Sequence, residues 1–149
     1  MTIGPTVAGG LKLVPEEEQD WAVLLEIASD GEGGLSKRLG GLMDEDSMWD
    51  EIVVPELDEN FSGQRTEVLK AVRKARSQDE PIHIDRESAE TWYGALNQAR
   101  LELEANYHFG PEEKRDPDKI VDPSARSAWF RNEFYGAVQS LLLQYVLTD

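Results

Sequence analysis

Tyr93, Asn97 and Arg100 fall at steps of four and three residues within "AETWYGALNQARLELEANY", residues 89 to 107. Residues three and four apart are neighbours on a helix, so a phenol, an amide and a guanidinium share one edge. A guanidinium can hold a carboxylate or phosphate through two parallel hydrogen bonds, and the amide and phenol would add their own. The chemistry open to this set is anion binding in a polar cleft. The competing reading is structural. Ala89, Trp92, Leu96, Ala99, Leu103 and Tyr107 form an adjoining apolar stripe with the spacing of a helix packed in a bundle. Polar groups bordering such a stripe are half buried and must find partners. Arg100 has thirty acidic residues to choose from, Glu104 one turn on among them. The structural reading is the favoured one.

Little else in the chain has the form of catalysis. A nucleophile needs a base beside it, yet there is no cysteine and there are only two histidines. His83 sits in "IHI", expected on the solvent side of a strand, and His108 at a helix end. Neither lies in a Gly-x-Ser-x-Gly or His-Glu-x-x-His context. "DEDSMWDE" offers Asp44, Asp46, Asp50 and Glu51 to a cation, but lacks the glycine turn and closing glutamate of a calcium loop. "GEGG" and the later glycine pair have no Gly-Lys-Ser/Thr ending to cradle a phosphate. No catalytic residue, metal ligand or cofactor is assigned. An enzyme using paired carboxylates stays open, because thirty acids always permit a pair.

The elements that must position these residues read as mainly helical. The 149 residues suit one helical domain over 1–149, with 40% hydrophobic and 30% charged residues. The first ten residues, "MTIGPTVAGG", read as a loose lead-in. "LKL" at 11 to 13 has strand alternation, and Pro15 with three glutamates opens a helix carrying Trp21, Leu24, Leu25 and Ala28 inward. "SDGEGG" stops it. A third segment is expected to be helical from about Asn60 to Ser77. "IHI" at 82 to 84 is a second strand triplet, with Asp85 as the cap of the helix quoted above. "GPEEKRDPDKIVDP" at 110 to 123 is a polar connection, and Asp122-Pro123 opens a last helix over roughly 124 to 147. The fold expected is a bundle of about four principal helices with a minor two-strand β ribbon, Leu11–Leu13 with Ile82–Ile84.

A shift of 71 residues superposes parts of the chain on one another: Leu11 on Ile82, Leu13 on Ile84, Trp21 on Trp92, Leu25 on Leu96 and Ala28 on Ala99. Two strand-helix-helix halves whose strands pair would account for this echo.

Net charge excludes some partners. At −15, with a pI near 4.4, the chain lacks the basic groups that nucleic acid or anionic lipid requires. The most apolar run, "AVQSLLLQYVL" at 137 to 147, is too short to span a bilayer. No basic, then apolar, leader opens the sequence, and cysteine is absent, so a cytoplasmic protein is expected. Two apolar surfaces point to a protein partner. One is the cluster around Met48 and Trp49 in an acidic, irregular segment, which folds over the core as a lid on the favoured reading and docks a partner on the other. The other is the start of the last helix, where Trp129, Phe130, Phe134 and Tyr135 would form a homodimer interface.

Residues 82 to 104, "IHIDRESAETWYGALNQARLELE", resemble a family of small actinobacterial proteins known as a domain of unknown function. The resemblance rests on Asp85, Trp92, Ala95, Leu96, Asn97, Arg100 and Leu101. An acidic stretch with a charged helix, "PELDENFSGQRTEVLKAVRKA", and the aromatic helix over 128 to 147 match more loosely. Gln98-Ala99 inside the motif and the 31 to 59 region depart from it. Such proteins are often encoded near the Clp adaptor ClpS and a JAMM-type metalloprotease, so the resemblance implies a setting of protein turnover. The expectation is a non-enzymatic interaction or accessory protein. The alternative is a small-molecule binder or enzyme using Tyr93, Asn97 and Arg100.

Overall fold

A computed structural model describes residues 1–35, 54–110 and 116–148. The described residues form four α-helices and a small three-stranded antiparallel sheet in the order β1-β2-β3. Strand β1 is Thr2–Pro5, β2 is Leu11–Val14 and β3 is Ile82–Ile84. The helices are α1 (Glu18–Asp30), α2 (Val54–Gln78), α3 (Ala89–Tyr107) and α4 (Pro123–Tyr145), with a 3-10 turn at Pro117–Lys119 before the last.

The ribbon between 11–13 and 82–84 is present, with a third strand added. Residues 2–5 pair with β2 in the register Thr2↔Val14 to Pro5↔Leu11, so the opening of the chain is an edge strand where a lead-in was expected. The glycines that suggested looseness make the hairpin. Gly9 has φ +90°, a conformation open to glycine at no steric cost, and Gly10 donates to the Thr6 hydroxyl at 2.9 Å. A Cβ on Gly10 would stand 2.5 Å from the Ile84 carbonyl oxygen, so only glycine lets the hairpin lie this close to β3. Pro5 sits on the edge strand, where its missing N–H does least harm.

Alternation decides which face of the sheet is buried. Leu11, Leu13, Ile82 and Ile84 are all buried, whereas His83 is exposed, as the triplet pattern required. These side chains join Trp21, Leu24 and Ile27 of α1, Val68 and Val72 of α2, Trp92, Leu96 and Leu103 of α3, and Tyr135, Val138 and Leu142 of α4 in one core. Helix α3 is central, packing against the other three helices. Its apolar stripe is buried as expected up to Leu103, while Tyr107 is surface-exposed.

Helix ends follow the capping residues with two shifts. The first is at α1, which begins at Glu18 behind a Glu17–Asp20 capping box and not at Pro15 as expected. Asp122 caps α4, accepting from the Ala125 N–H at 3.2 Å. Asp85 accepts from the Ser88 N–H and hydroxyl at 2.8 and 2.9 Å, which holds its carboxyl below the usual aspartate range. It caps the turn leading into α3, whose own first helical residue is Ala89. Helix α2 takes in Val54–Gln78 and so reaches at least a turn and a half ahead of Asn60, where apolar periodicity had placed its start. Arg86 donates to the carbonyls of Val146 and Thr148 at 3.3 and 2.7 Å, a cation at the end of α4 where free carbonyls collect.

Strand pairing gives the 71-residue echo a spatial counterpart. Leu11 faces Ile84, Lys12 faces His83 and Leu13 faces Ile82. The two triplets that the echo superposes are thus hydrogen-bonded neighbours.

Candidate functional site

Helix α3 carries its buried polar groups on two edges. On one, Gln98 is 1% exposed. Its amide donates to Gln64 Oε1 at 2.9 Å and to the Phe61 carbonyl at 3.3 Å, and accepts from Arg65 Nη1 at 2.8 Å. Asn97, its neighbour in the sequence, is exposed. The amide that serves the helix seam is therefore Gln98, one of the two residues at which the chain departs from the motif. On the other edge Arg100 donates to Gln139 Oε1 at 2.8 Å, and the Gln139 amide reaches the Tyr93 carbonyl at 3.4 Å. Gly136 of α4 lets this guanidinium lie against the helix, because a Cβ there would meet Arg100 Cζ at 3.1 Å. Arg100 Nε is buried with no hydrogen-bond partner among the described residues.

Tyr93, Asn97 and Arg100 thus do not gather around one opening. Tyr93 packs against the core through its ring, Asn97 points to water, and Arg100 is spent on α4. Arg100 gives Nη1 to Gln139, which is itself buried, and its Nε, unpartnered among the described residues, lies buried beside that contact.

The four aromatics of α4 separate in the same way. Tyr135 is fully buried and belongs to the core, so it cannot form part of an exposed interface. Its hydroxyl donates to Asp30 Oδ2 at 2.6 Å. Arg131, one turn earlier, grips the same carboxylate with two bonds, Nε to Oδ2 at 2.8 Å and Nη2 to Oδ1 at 3.0 Å. Asp30 ends α1, where a negative charge opposes the helix dipole; this paired contact offsets that penalty. The carboxylate raises the Arg131 pKa, chiefly through the hydrogen bond between them. Burial first, and the Asp30 charge second, push the Tyr135 phenol far above its ordinary value. Both carboxylate oxygens of Asp30 are used, so the cluster ties α4 to the end of α1. The signal for it in the sequence was an Arg and a Tyr four apart on the face that also carries Val138 and Leu142, since such groups in a core demand an acid.

Trp129 is half buried, edge-on to Phe130 with ring centres 5.0 Å apart, and borders a small hollow of about 230 Å³ with Tyr107 and Phe109. Phe130 and Phe134 turn the other way. With Ala22, Val23 and Glu26 of α1 and Arg126 of α4 they line an open groove of about 840 Å³. Phe130 is 53% exposed, while Phe134 packs partly against the core. Met48 and Trp49, the other interface candidates, lie outside the described residues, as do Asp44, Asp46, Asp50 and Glu51.

The 71-residue shift of the sequence sets Val23 on Gly94 and Gln64 on Tyr135. Where α2 crosses α3, Gln64 occupies the space a Cβ on Gly94 would need, with Oε1 only 2.4 Å from that position. Where α4 faces α1, a bulky Tyr135 meets a valine, its hydroxyl 3.5 Å from the Val23 carbonyl. Helix α4 rests mainly on α3.

Among the described residues no helix is long and apolar enough to cross a membrane, and no three His, Asp or Glu side chains converge as metal ligands do. A family profile described as "Domain of unknown function (DUF2017)" matches residues 43–146. No curated protein and no solved structure matches the chain.

Proposed function

The chain belongs to the DUF2017 family, and from that premise we propose that it is a non-enzymatic interaction protein of the cytoplasm that self-associates through α4. The observation that carries the reading is the exposed face of that helix. Phe130 stands 53% open at the mouth of a groove walled by Ala22, Val23 and Phe134. Exposed large aromatics of this kind are what interface centres are built from. The polar clusters favour the same reading by contrast, since those around Asp30 and Gln98 serve to hold helices together. A role in protein turnover, as an accessory to a proteolytic system, rests on the resemblance of residues 82 to 104 and supplies the class of partner a dimer would serve.

The test is solution mass by light scattering on wild type and Phe130→Asp. Wild type is expected at twice the 16.8 kDa chain mass at high concentration, and the variant at the mass of one chain with unchanged helical circular dichroism. A wild type that stays at one chain mass over the whole accessible concentration range would refute self-association.

A further inference from the structure

Helix α4 has two apolar faces, and the molecule's own core covers one. Arg131, Tyr135, Val138, Leu142 and Val146 point inward. Phe130, Phe134, Ala137, Leu141 and Tyr145 follow one another at steps of 4, 3, 4 and 4 residues, within about 80° of each other on a helix. Phe130 and Tyr145 are 53% and 43% exposed, Ala137 is exposed, and Phe134 and Leu141 are half buried. The 4-3-4 spacing is that of a seam between paired helices.

We infer that this seam receives the same helix of a second copy, running antiparallel, with Phe134 of each seated at Ala137 of the other. The inference rests on the self-association proposed above and adds its direction and register. Two features single out a second copy as the occupant. The order Phe130, Phe134, Ala137, Leu141 is self-complementary when reversed: Phe134 meets Ala137 and Phe130 meets Leu141, each pair setting a large side chain against a smaller one. An isologous contact demands this property. Charge points the same way. The chain as a whole carries −15, yet the five seam side chains are all uncharged, so two copies can meet there without burying a carboxylate. In this register Tyr145 of the second copy lies beside Arg126 and, with Leu141, fills the α1–α4 groove. One helix seam is at the small end of stable interfaces, so the association is expected to depend on concentration.

The absence of cysteine from the chain makes engineered disulfides unambiguous, since bridging requires Cα atoms within about 7 Å. Three single variants of the full chain, Ala137→Cys, Ser127→Cys and Gln144→Cys, are oxidised in air with copper phenanthroline and followed on non-reducing gels. Ala137→Cys, beside the axis, should couple to itself at least tenfold faster than Ser127→Cys does. An equal mixture of Ser127→Cys and Gln144→Cys should give mainly the mixed dimer. Self-coupling of Ser127→Cys as fast as that of Ala137→Cys would mean parallel helices and overturn the register. Wild type of twice the chain mass by light scattering, with none of these couplings, would place the interface elsewhere and overturn the seam while sparing self-association. A monomeric wild type would overturn both.

Discussion

Asp30 is the residue on which the contact between α1 and α4 turns. Its carboxylate is nearly out of water, with 8% of the side chain exposed, and Arg131 opposite it is 18% exposed. Removing one partner of such a pair costs more than the pair contributes, because the other charge is stranded. Asp30→Ala is expected to destabilise the protein by about 3 kcal/mol, the low end of the range for buried pairs, as read from urea unfolding. Tyr135→Phe removes one hydrogen bond and keeps the ring, so about 1 kcal/mol is expected. The phenol also sets an alkaline limit. Its folded pKa is raised, so the stability it contributes is complete below the unfolded value, about pH 10, and falls as pH rises beyond it. The tyrosinate absorbance lost in Tyr135→Phe should therefore appear in wild type together with unfolding. If that absorbance appears before helical signal is lost, the phenol is not held as described. At the acid end the sign reverses. Asp20 has a lowered pKa, owing first to the Glu16 N–H it accepts and with a further N–H from Glu17. Asp85 is lowered in the same direction. Their contribution is present above about pH 4 and is lost as pH falls through the lowered values.

At the scale of elements, Gly94 lets α2 cross α3 closely, because the Gln64 amide fills the space its Cβ would need. Gly94→Val would displace Gln64 from Gln98. A loss of about 1–3 kcal/mol is expected, measured by thermal unfolding, whereas unchanged stability would mean that the crossing does not depend on the glycine. Much of the element pattern could be read from the chain. The strand triplets, the Trp92 stripe and the Asp122-Pro123 start declare themselves through local periodicity and capping. What could not be read is what local chemistry leaves undetermined. "MTIGPTVAGG" has the composition of a loop, and its strand exists because Leu11–Val14 offers an edge to pair with. Asn97 and Gln98 are both amides next to an apolar stripe, and the choice between them depends on which side α2 approaches. Tyr135 looked like its neighbours Phe130 and Phe134 because its partner is 105 residues away.

For the whole molecule, charge and apolar surface pull against each other. A pair of chains at −15 each repels itself over distances that salt shortens, the screening length falling from about 30 Å at 0.01 M to about 8 Å at 0.15 M. Dimerisation through an apolar seam should therefore strengthen as salt rises, by about tenfold or more in association constant over that interval if the repulsion is worth about 1.4 kcal/mol. Sedimentation equilibrium at two salt concentrations measures it. Weakening with salt would instead indicate an interface held by ion pairs. The same wiring has a consequence for how the chain is made. β2 waits for β3, whose residues emerge about seventy positions later, and Asp30 waits for Arg131, 101 residues on. On a ribosome the β1–β2 hairpin can close early and α1, α2 and α3 can pack on one another, while the face of α3 that takes α4 stays open to chaperones. Synthesis that stalled before α4 would release a product whose central helix lacks one wall, a natural target for the cell's proteases.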